Sequence, residues 1–320
     1  MNNQQQSAGV RQLDVDEESA GQRLDNYLIR VLKGVPRSRI YRIIRKGEVR
    51  VNKGRARPET RLHAGDRVRI PPIRTAAPRE RVAEHYDFIE KTIIYEDDVM
   101  LIVNKPAGLA VHGGSGISLG LIEALRACQP EARHLELIHR LDRDTSGCLM
   151  IAKRRAYQRL VQEALRQRSA VDKVYLAIVH GHWPKRLTRI NAPLERDVLA
   201  SGERISRVTA AGKASLTDYR CLAVGGSLSL IEAKPATGRT HQIRVHCLHA
   251  GFPVAGDSKY GDREADRRLA GHGYTRMMLH AHRLSVPALG DYPAVHVEAP
   301  VDEPMTQLME EIKGFKKNKL

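Results

Sequence analysis

The densest patch of chemistry in the chain is His139-Arg140-Leu141-Asp142-Arg143-Asp144-Thr145-Ser146-Gly147, just before the apolar run Leu149 to Ala152. Loops that enter strands are common sites of function. Arg140 and Arg143 surround two carboxylates, and nearby positive charge stabilises an ionised Asp. Such an Asp can serve as nucleophile or as base, although the same pattern also suits a surface loop of salt bridges. A second candidate is Pro235-Ala236-Thr237-Gly238-Arg239-Thr240-His241-Gln242-Ile243-Arg244-Val245-His246. It reads as a glycine turn from a strand into a helix capped by Thr240, with Arg244 one turn inside. Free amides at such a helix start can receive phosphate or carboxylate, and an ordinary strand-to-helix connection with a solvated Arg is the competing reading. The third candidate is Tyr175, a lone phenol in the apolar strand Asp172 to Val179, where a core Tyr with a satisfied hydroxyl is the plainer explanation.

The elements that must position these residues follow from the apolar pattern. Buried strands are predicted at Val99 to Val103, Leu149 to Ala152, Val174 to Val179 and Leu228 to Ala233. Helices are predicted near Leu119 to Ala127 and Arg155 to Arg168. Strands and helices do not alternate strictly, which points to an α+β fold with a mixed, largely antiparallel sheet spanning residues 88–312.

The N-terminal part reads differently. Residues 1–18 are polar and expected to be disordered. Leu24, Tyr27, Leu28, Val31 and Leu32 line one helix face, and Gly34 and Pro36 end that helix. Ser38 is positioned to cap a second helix, whose apolar face is Ile40, Ile43 and Ile44 and whose other positions carry Arg39, Arg42, Arg45 and Lys46. Short basic strands follow around Val49 to Val51 and Arg67 to Ile70, with turns at Asn52-Lys53-Gly54 and Gly65-Asp66. This gives a small domain over residues 19–72, a Pro-containing linker over 73–87, and a basic frayed tail over 313–320.

Composition limits the partners. The 320 residues carry a net charge of +16, and 42% are hydrophobic, enough for a real core. Between Arg37 and Arg69 stand twelve Lys or Arg against three Asp or Glu. Over half of the excess charge thus lies in a tenth of the chain, the electrostatic footprint of a nucleic-acid surface. The four cysteines, Cys128, Cys148, Cys221 and Cys247, make no C-x-x-C pair, which fits a reducing, cytoplasmic setting. No signal peptide or membrane-spanning run is read. His246 and His249 share a helix face, but no third acidic ligand accompanies them, and a structural role is expected rather than zinc. Gly113-Gly114-Ser115-Gly116 lacks the Lys of a phosphate loop and reads as a flexible turn. Cys148, at the mouth of an apolar strand, is expected to be buried and inert.

Two resemblances then enter. Arg23-Leu24-Asp25, Ser38-Arg39, Lys46-Gly47-Glu48-Val49-Arg50-Val51-Asn52 and Gly65-Asp66 resemble the S-four-type RNA-binding domain. The three chemical segments, with Asn104-Lys105-Pro106-Ala107-Gly108 and Leu279-His280-Ala281, resemble the large-subunit ribosomal RNA branch of the pseudouridine synthases. The resemblance implies Asp142 as the essential carboxylate, Arg244 as its partner and Tyr175 as the ring that stacks on uracil. It further implies Arg140 filling the gap of a flipped nucleotide, Lys105 and Pro106 supporting the site, and Leu279 lining the base pocket. Lys105 is counted with Arg140, Leu279 and the basic helix residues Arg39, Arg42, Arg45 and Lys46 among the substrate-binding set. No metal and no cofactor are implied. The implied partner is large-subunit ribosomal RNA, free or in an assembling subunit, with no membrane and a monomer as default. Two competing functions are a non-enzymatic ribosome-assembly factor on the same basic surface and a zinc-dependent RNA hydrolase at His246.

Overall fold

The computed structural model describes residues 9–32, 35–73, 87–113, 120–129, 132, 134–167, 170–198 and 204–314. The chain divides into two compact units, Met1–Val82 and Ala83–Leu320. The Gly114-to-Gly116 turn, most of the linker and the tail beyond Gly314 lie outside the described residues.

The first unit packs two short helices, α1 (Leu24–Val31) and α2 (Arg37–Arg45), on a four-stranded sheet of β1 (Arg11–Asp14), β2 (Arg50–Val51), β3 (Gly54–Arg55) and β4 (Arg67–Ile70). The sheet order is β1-β4-β2-β3. Leu24, Leu28, Ile40, Ile44, Val49, Leu62, Val68 and Ile70 form its core. The buried Asp25 carboxylate joins the helices, accepting from Arg23 Nη2 at 2.7 Å and from the Tyr41 hydroxyl at 3.0 Å. Asn52 and Lys53 have φ of 50° and 69°, as a two-residue hairpin between β2 and β3 requires. Arg39, Arg42, Arg45 and Lys46 are all exposed, because the apolar stripe of α2 turns the remaining positions outward.

Two expectations fail here. Residues 11–18 are not disordered: β1 pairs antiparallel with β4, from Arg11 opposite Ile70 to Asp14 opposite Arg67, and Val15 is buried. A short apolar signal at Leu13 and Val15 is hidden among acidic neighbours. Ser38 does not cap α2. The helix begins at Arg37, where the Pro36 carbonyl accepts from the amides of Arg39 and Ile40.

The second unit is built on a ten-stranded sheet. Its strands are β5 (Ile93–Glu96), β6 (Met100–Lys105), β7 (Glu136–Leu137), β8 (Ser146–Ala152), β9 (Asp172–His180), β10 (Arg189–Asn191), β13 (Leu216–Gly225), β14 (Leu228–Pro235), β15 (Leu279–Val286) and β16 (Val295–Glu298). The main order is β10-β13-β14-β9-β15-β8-β6-β5, with β16 on β15 and β7 on β8. Every pairing is antiparallel except β8 with β15. Strands β11 (Leu194–Val198) and β12 (Arg204–Val208) form a separate hairpin. Helices α3 (Leu121–Cys128) and α5 (Gln242–His249) pack on one face; α4 (Arg155–Arg166) and α7 (Glu303–Gly314) pack on the other. Helix α6 (Arg263–Gly271) completes the fold. The mixed, mostly antiparallel sheet with helices is the α+β arrangement that the sequence predicts. No helix among the described residues is long and apolar enough to cross a membrane.

One row of the sheet positions the chemistry. Ala233, Tyr175, Ala281, Gly147 and Lys105 are successive partners across β14, β9, β15, β8 and β6. Side chains of directly paired residues share a face, so residues far apart in sequence fall into line. Gly147 is the tight point of the row. Its φ is +106°, and a Cβ there would run into the Ala281 carbonyl.

Candidate active site

Asp142 lies in the loop between β7 and β8, just above this row. Its carbonyl accepts from the Thr145 amide at 3.2 Å. The loop is anchored from below by Lys105, whose side chain is fully buried. The Lys105 ammonium donates to the carbonyls of Pro106 at 2.8 Å, Leu109 at 2.9 Å and Arg143 at 2.8 Å. Burial pulls its pKa down to about 7, against the opposing pull of Asp144 and Asp142. Three acceptors match the three hydrogens of the charged form. Lys105 is thus committed to the backbone under the loop. This corrects its place among substrate-contacting residues, since no hydrogen remains for RNA and it does not line the cavity.

Arg244 comes from the first turn of α5 and is 3% exposed. Its Nη1 donates to Asp142 Oδ2 at 3.0 Å. Its other edge is gripped by Asp257, with Nε to Oδ2 at 2.6 Å and Nη2 to Oδ1 at 2.7 Å. Asp257 also accepts from the amides of Lys259 and Tyr260. Burial opposes the Asp257 charge, but the Arg244 hydrogen bonds and charge outweigh it and hold the carboxyl below the usual range. The Tyr260 ring stacks near Arg244, 5.0 Å from guanidinium carbon to ring centroid. A buried guanidinium is costly unless its charge and donors are matched. Asp257 supplies that match and leaves one N–H edge free for Asp142.

These groups open onto a cavity of about 900 Å³, within the range of small-molecule sites. Its walls include Arg140, Asp142, Tyr175, Arg244 and Leu279. The sequence-predicted catalytic trio is therefore brought to one cleft. Arg140 is exposed and Leu279 buried. Burial and the Asp142 charge both push the Tyr175 phenol far above its ordinary pKa, so the ring presents a neutral face. Asp144 pairs with Arg143 instead, Nε to Oδ1 at 3.2 Å. Arg39, Arg42, Arg45 and Lys46 belong to the first unit, where all four are exposed.

The start of α5 departs from expectation. Thr240 does not cap it; His241 occupies the cap position in the left-handed region, with φ 54° and ψ 23°. The Gln242 side chain reaches back instead, accepting from the Arg239 amide and the Thr237 hydroxyl. His246 is buried against Thr217, Ser215 and the Ala192 carbonyl, a structural placement. No group of three metal-binding side chains occurs among the described residues. Cys148 is buried, and burial raises its pKa to about 11, so its thiol is inert at neutral pH. Sequence reasoning missed Asp257, Tyr260 and the orientation of His241. The signal available was the run Gly256-Asp257-Ser258-Lys259-Tyr260-Gly261, a glycine-bounded turn carrying one acid.

A carboxylate steered by a buried guanidinium thus stands beside a phenol ring, in one cleft over this mixed sheet. A family model for RNA pseudouridylate synthase matches residues 99–249, and one for the S4 domain matches residues 22–68. The chain belongs to the RNA pseudouridylate synthase family. It is similar to "Ribosomal large subunit pseudouridine synthase C" of Escherichia coli (strain K12), 49% identical over 315 residues, covering 97% of this chain and 98% of that protein. The protein of that name from Pasteurella multocida (strain Pm70) is 49% identical over 306 residues, covering 94% of this chain and 93% of the other. Among solved structures, "Human RNA Pseudouridylate Synthase Domain Containing 4" aligns with a TM-score of 0.59 at 25% identity, covering 73% of this chain and 97% of that one. "Human RNA Pseudouridylate Synthase Domain Containing 1" aligns at 0.56 and 29% identity, covering 69% and 94%.

Proposed function

We propose that the protein converts specific uridines of large-subunit ribosomal RNA to pseudouridine, with Asp142 as the catalytic carboxylate. The observation that carries this reading is the Arg244–Asp142 contact at 3.0 Å on the wall of a nucleotide-sized cavity. The names of the relatives that match over nearly the full length support the RNA class.

The reaction breaks N1–C1′, turns the base and joins C5 to C1′. One hydrogen leaves C5 and one arrives at N1. No atom departs and no net oxidation occurs, so the chemistry calls for no cofactor. An enzyme acting on C1′ must take the nucleotide out of its stack. Tyr175 faces the detached base, Leu279 lines its pocket, and exposed Arg140 fills the space that the nucleotide leaves. Asp142 either attacks C1′ or removes a sugar proton; both roles need the ionised form that Arg244 steadies. The exposed Arg39, Arg42, Arg45 and Lys46 of α2 supply phosphate contacts through the first unit. The protein works as a monomer in the cytoplasm.

The test is chromatographic separation and counting of pseudouridine among the nucleosides of large-subunit RNA fragments incubated with pure protein. Asp142→Asn is expected to abolish product while RNA affinity stays near wild type. Wild-type rates in that variant would refute the role of Asp142. A clean negative with the wild-type protein would leave an RNA-binding assembly factor.

A further inference from the structure

The two oxygens of Asp142 are not equivalent. Oδ2 is taken by Arg244, whereas Oδ1 faces His241, whose Nε2 lies 3.8 Å away. That gap is too long for a hydrogen bond between them. Both groups lie on the cavity wall, and the His241 ring is 11% exposed and Asp142 27%.

The tautomer of His241 is set from behind. The Ser206 amide donates to the Tyr260 hydroxyl oxygen at 2.8 Å, and that hydroxyl lies 2.8 Å from His241 Nδ1. Tyr260 is buried, and a buried hydroxyl hydrogen needs an acceptor. Nδ1 is that acceptor, so the ring hydrogen sits on Nε2 and faces the cavity. Burial is the largest influence on the ring and lowers its pKa; Asp142 opposes this, while Arg244 and Lys259 reinforce it. The imidazole is therefore a neutral donor at pH 7. The backbone is bent to present it. His241 has positive φ without being glycine, and the other two such residues among those described, Asn52 and Lys53, serve a hairpin turn. Strain of this kind at a cleft residue is a pointer to function.

A donor and a carboxylate oxygen 3.8 Å apart suit a group between them that both accepts and donates, as a hydroxyl does. Its oxygen accepts from one and its hydrogen goes to the other, each at about 2.8 Å. The hydroxyl beside the reacting C1′ is the ribose 2′-OH, which is also what distinguishes RNA from DNA. We infer that His241 Nε2–H and Asp142 Oδ1 together seat the 2′-hydroxyl of the target nucleotide, making His241 a specificity-determining residue that reads ribose. This inference rests on Asp142 working at the target sugar, as proposed above.

The experiment uses an RNA fragment in which the wild-type protein's target uridine has been mapped, and the same fragment with 2′-deoxyuridine at that position alone. Equilibrium Kd for both RNAs, and kcat/KM wherever product forms, are measured for wild type, His241→Ala and His241→Gln. Wild type is expected to favour ribose by roughly tenfold. His241→Ala should lose most of that preference, and His241→Gln, which keeps an N–H donor, should retain part of it. A wild-type protein indifferent to the 2′-hydroxyl overturns the inference, as does a His241→Ala protein with the full preference. Far-ultraviolet circular dichroism of each variant separates loss of fold from loss of readout. Failure of the Asp142 reading would appear independently, as activity surviving in Asp142→Asn with the ribose substrate.

Discussion

Asp257→Asn isolates the electrostatic logic of the site, because it removes one charge and almost no volume. The Asp257 side chain is fully buried and that of Arg244 is 3% exposed, so solvent screens little of their interaction. Breaking a buried pair from one side costs about 3–5 kcal/mol, because the remaining charge is stranded. Arg244 keeps its contact with Asp142, which places the expected loss near the lower end, about 3 kcal/mol. The single tryptophan makes the assay specific. Trp183 is buried in the second unit against Tyr219 and Phe252, so its fluorescence follows the unfolding of that unit alone. With a urea slope of about 3 kcal/mol/M for a unit of this size, the midpoint should fall by about 1 M. The double variant Asp257→Asn with Arg244→Met supplies the control. If the penalty is a stranded guanidinium, removing that guanidinium should recover stability while activity stays lost. A midpoint unmoved by Asp257→Asn, or a double variant weaker than the single one, would refute this account of Arg244.

Three other outcomes are expected. Gly147→Ala forces an L-residue into φ +106° and drives its Cβ into the Ala281 carbonyl; a loss on the order of 3 kcal/mol should appear by the same fluorescence, and a loss below about 1 would show that β8 and β15 part easily. His280 is buried, accepting at Nδ1 from Ser146 and donating from Nε2 to the Ala299 carbonyl, and burial lowers its pKa to about 4. The folded state therefore binds fewer protons than the unfolded state between pH 6.5 and 4, so stability should fall as pH drops through that window, by up to roughly 3 kcal/mol; the profile of His280→Gln should be flatter, and an identical slope would exclude this residue. Replacing Arg39, Arg42 and Arg45 by Ala should weaken RNA binding and reduce the slope of log affinity against log salt by roughly 2–3, which titration at several salt concentrations would show, while an unchanged slope would place the RNA elsewhere.

What could be read from the sequence was local. The apolar runs gave β6, β8, β9 and β14, and the stripe of Ile40, Ile43 and Ile44 gave the exposed basic side of α2. The pairing of Asp142 with Arg244, 102 residues apart, was reached through resemblance, because register across five strands leaves no local mark. The helix starts misled for a related reason. Ser38 and Thr240 are good caps by residue type, yet Pro36 turns the chain before the first, and at the second His241 takes the cap position in a left-handed conformation with no side-chain cap. Lys105 stands in the sequence as a supporting residue by resemblance and is counted with the substrate-binding set. Only the three carbonyls around it reveal a buried anchor.

The same contacts explain why this site needs a sheet as well as loops. Asp142 and Asp257 stand on connections, which are soft by nature, and Arg244 stands in the first turn of a short helix that a connection launches. Yet a displacement of about 1 Å can cost a hundredfold in rate. The row Ala233, Tyr175, Ala281, Gly147 and Lys105 supplies the missing stiffness. Its Lys end ties down the Asp142 loop, and its Ala233 end leads through Pro235 into the turn that launches α5 and Arg244. Tyr175 sits between them, in the row itself. Strand spacing, about 4.8 Å per step, therefore fixes Tyr175 relative to Lys105, the anchor beneath the Asp142 loop. Gly147 lets β8 and β15 close to that spacing, so a substitution there, at a residue that does not line the cavity, should disturb the placement of Asp142.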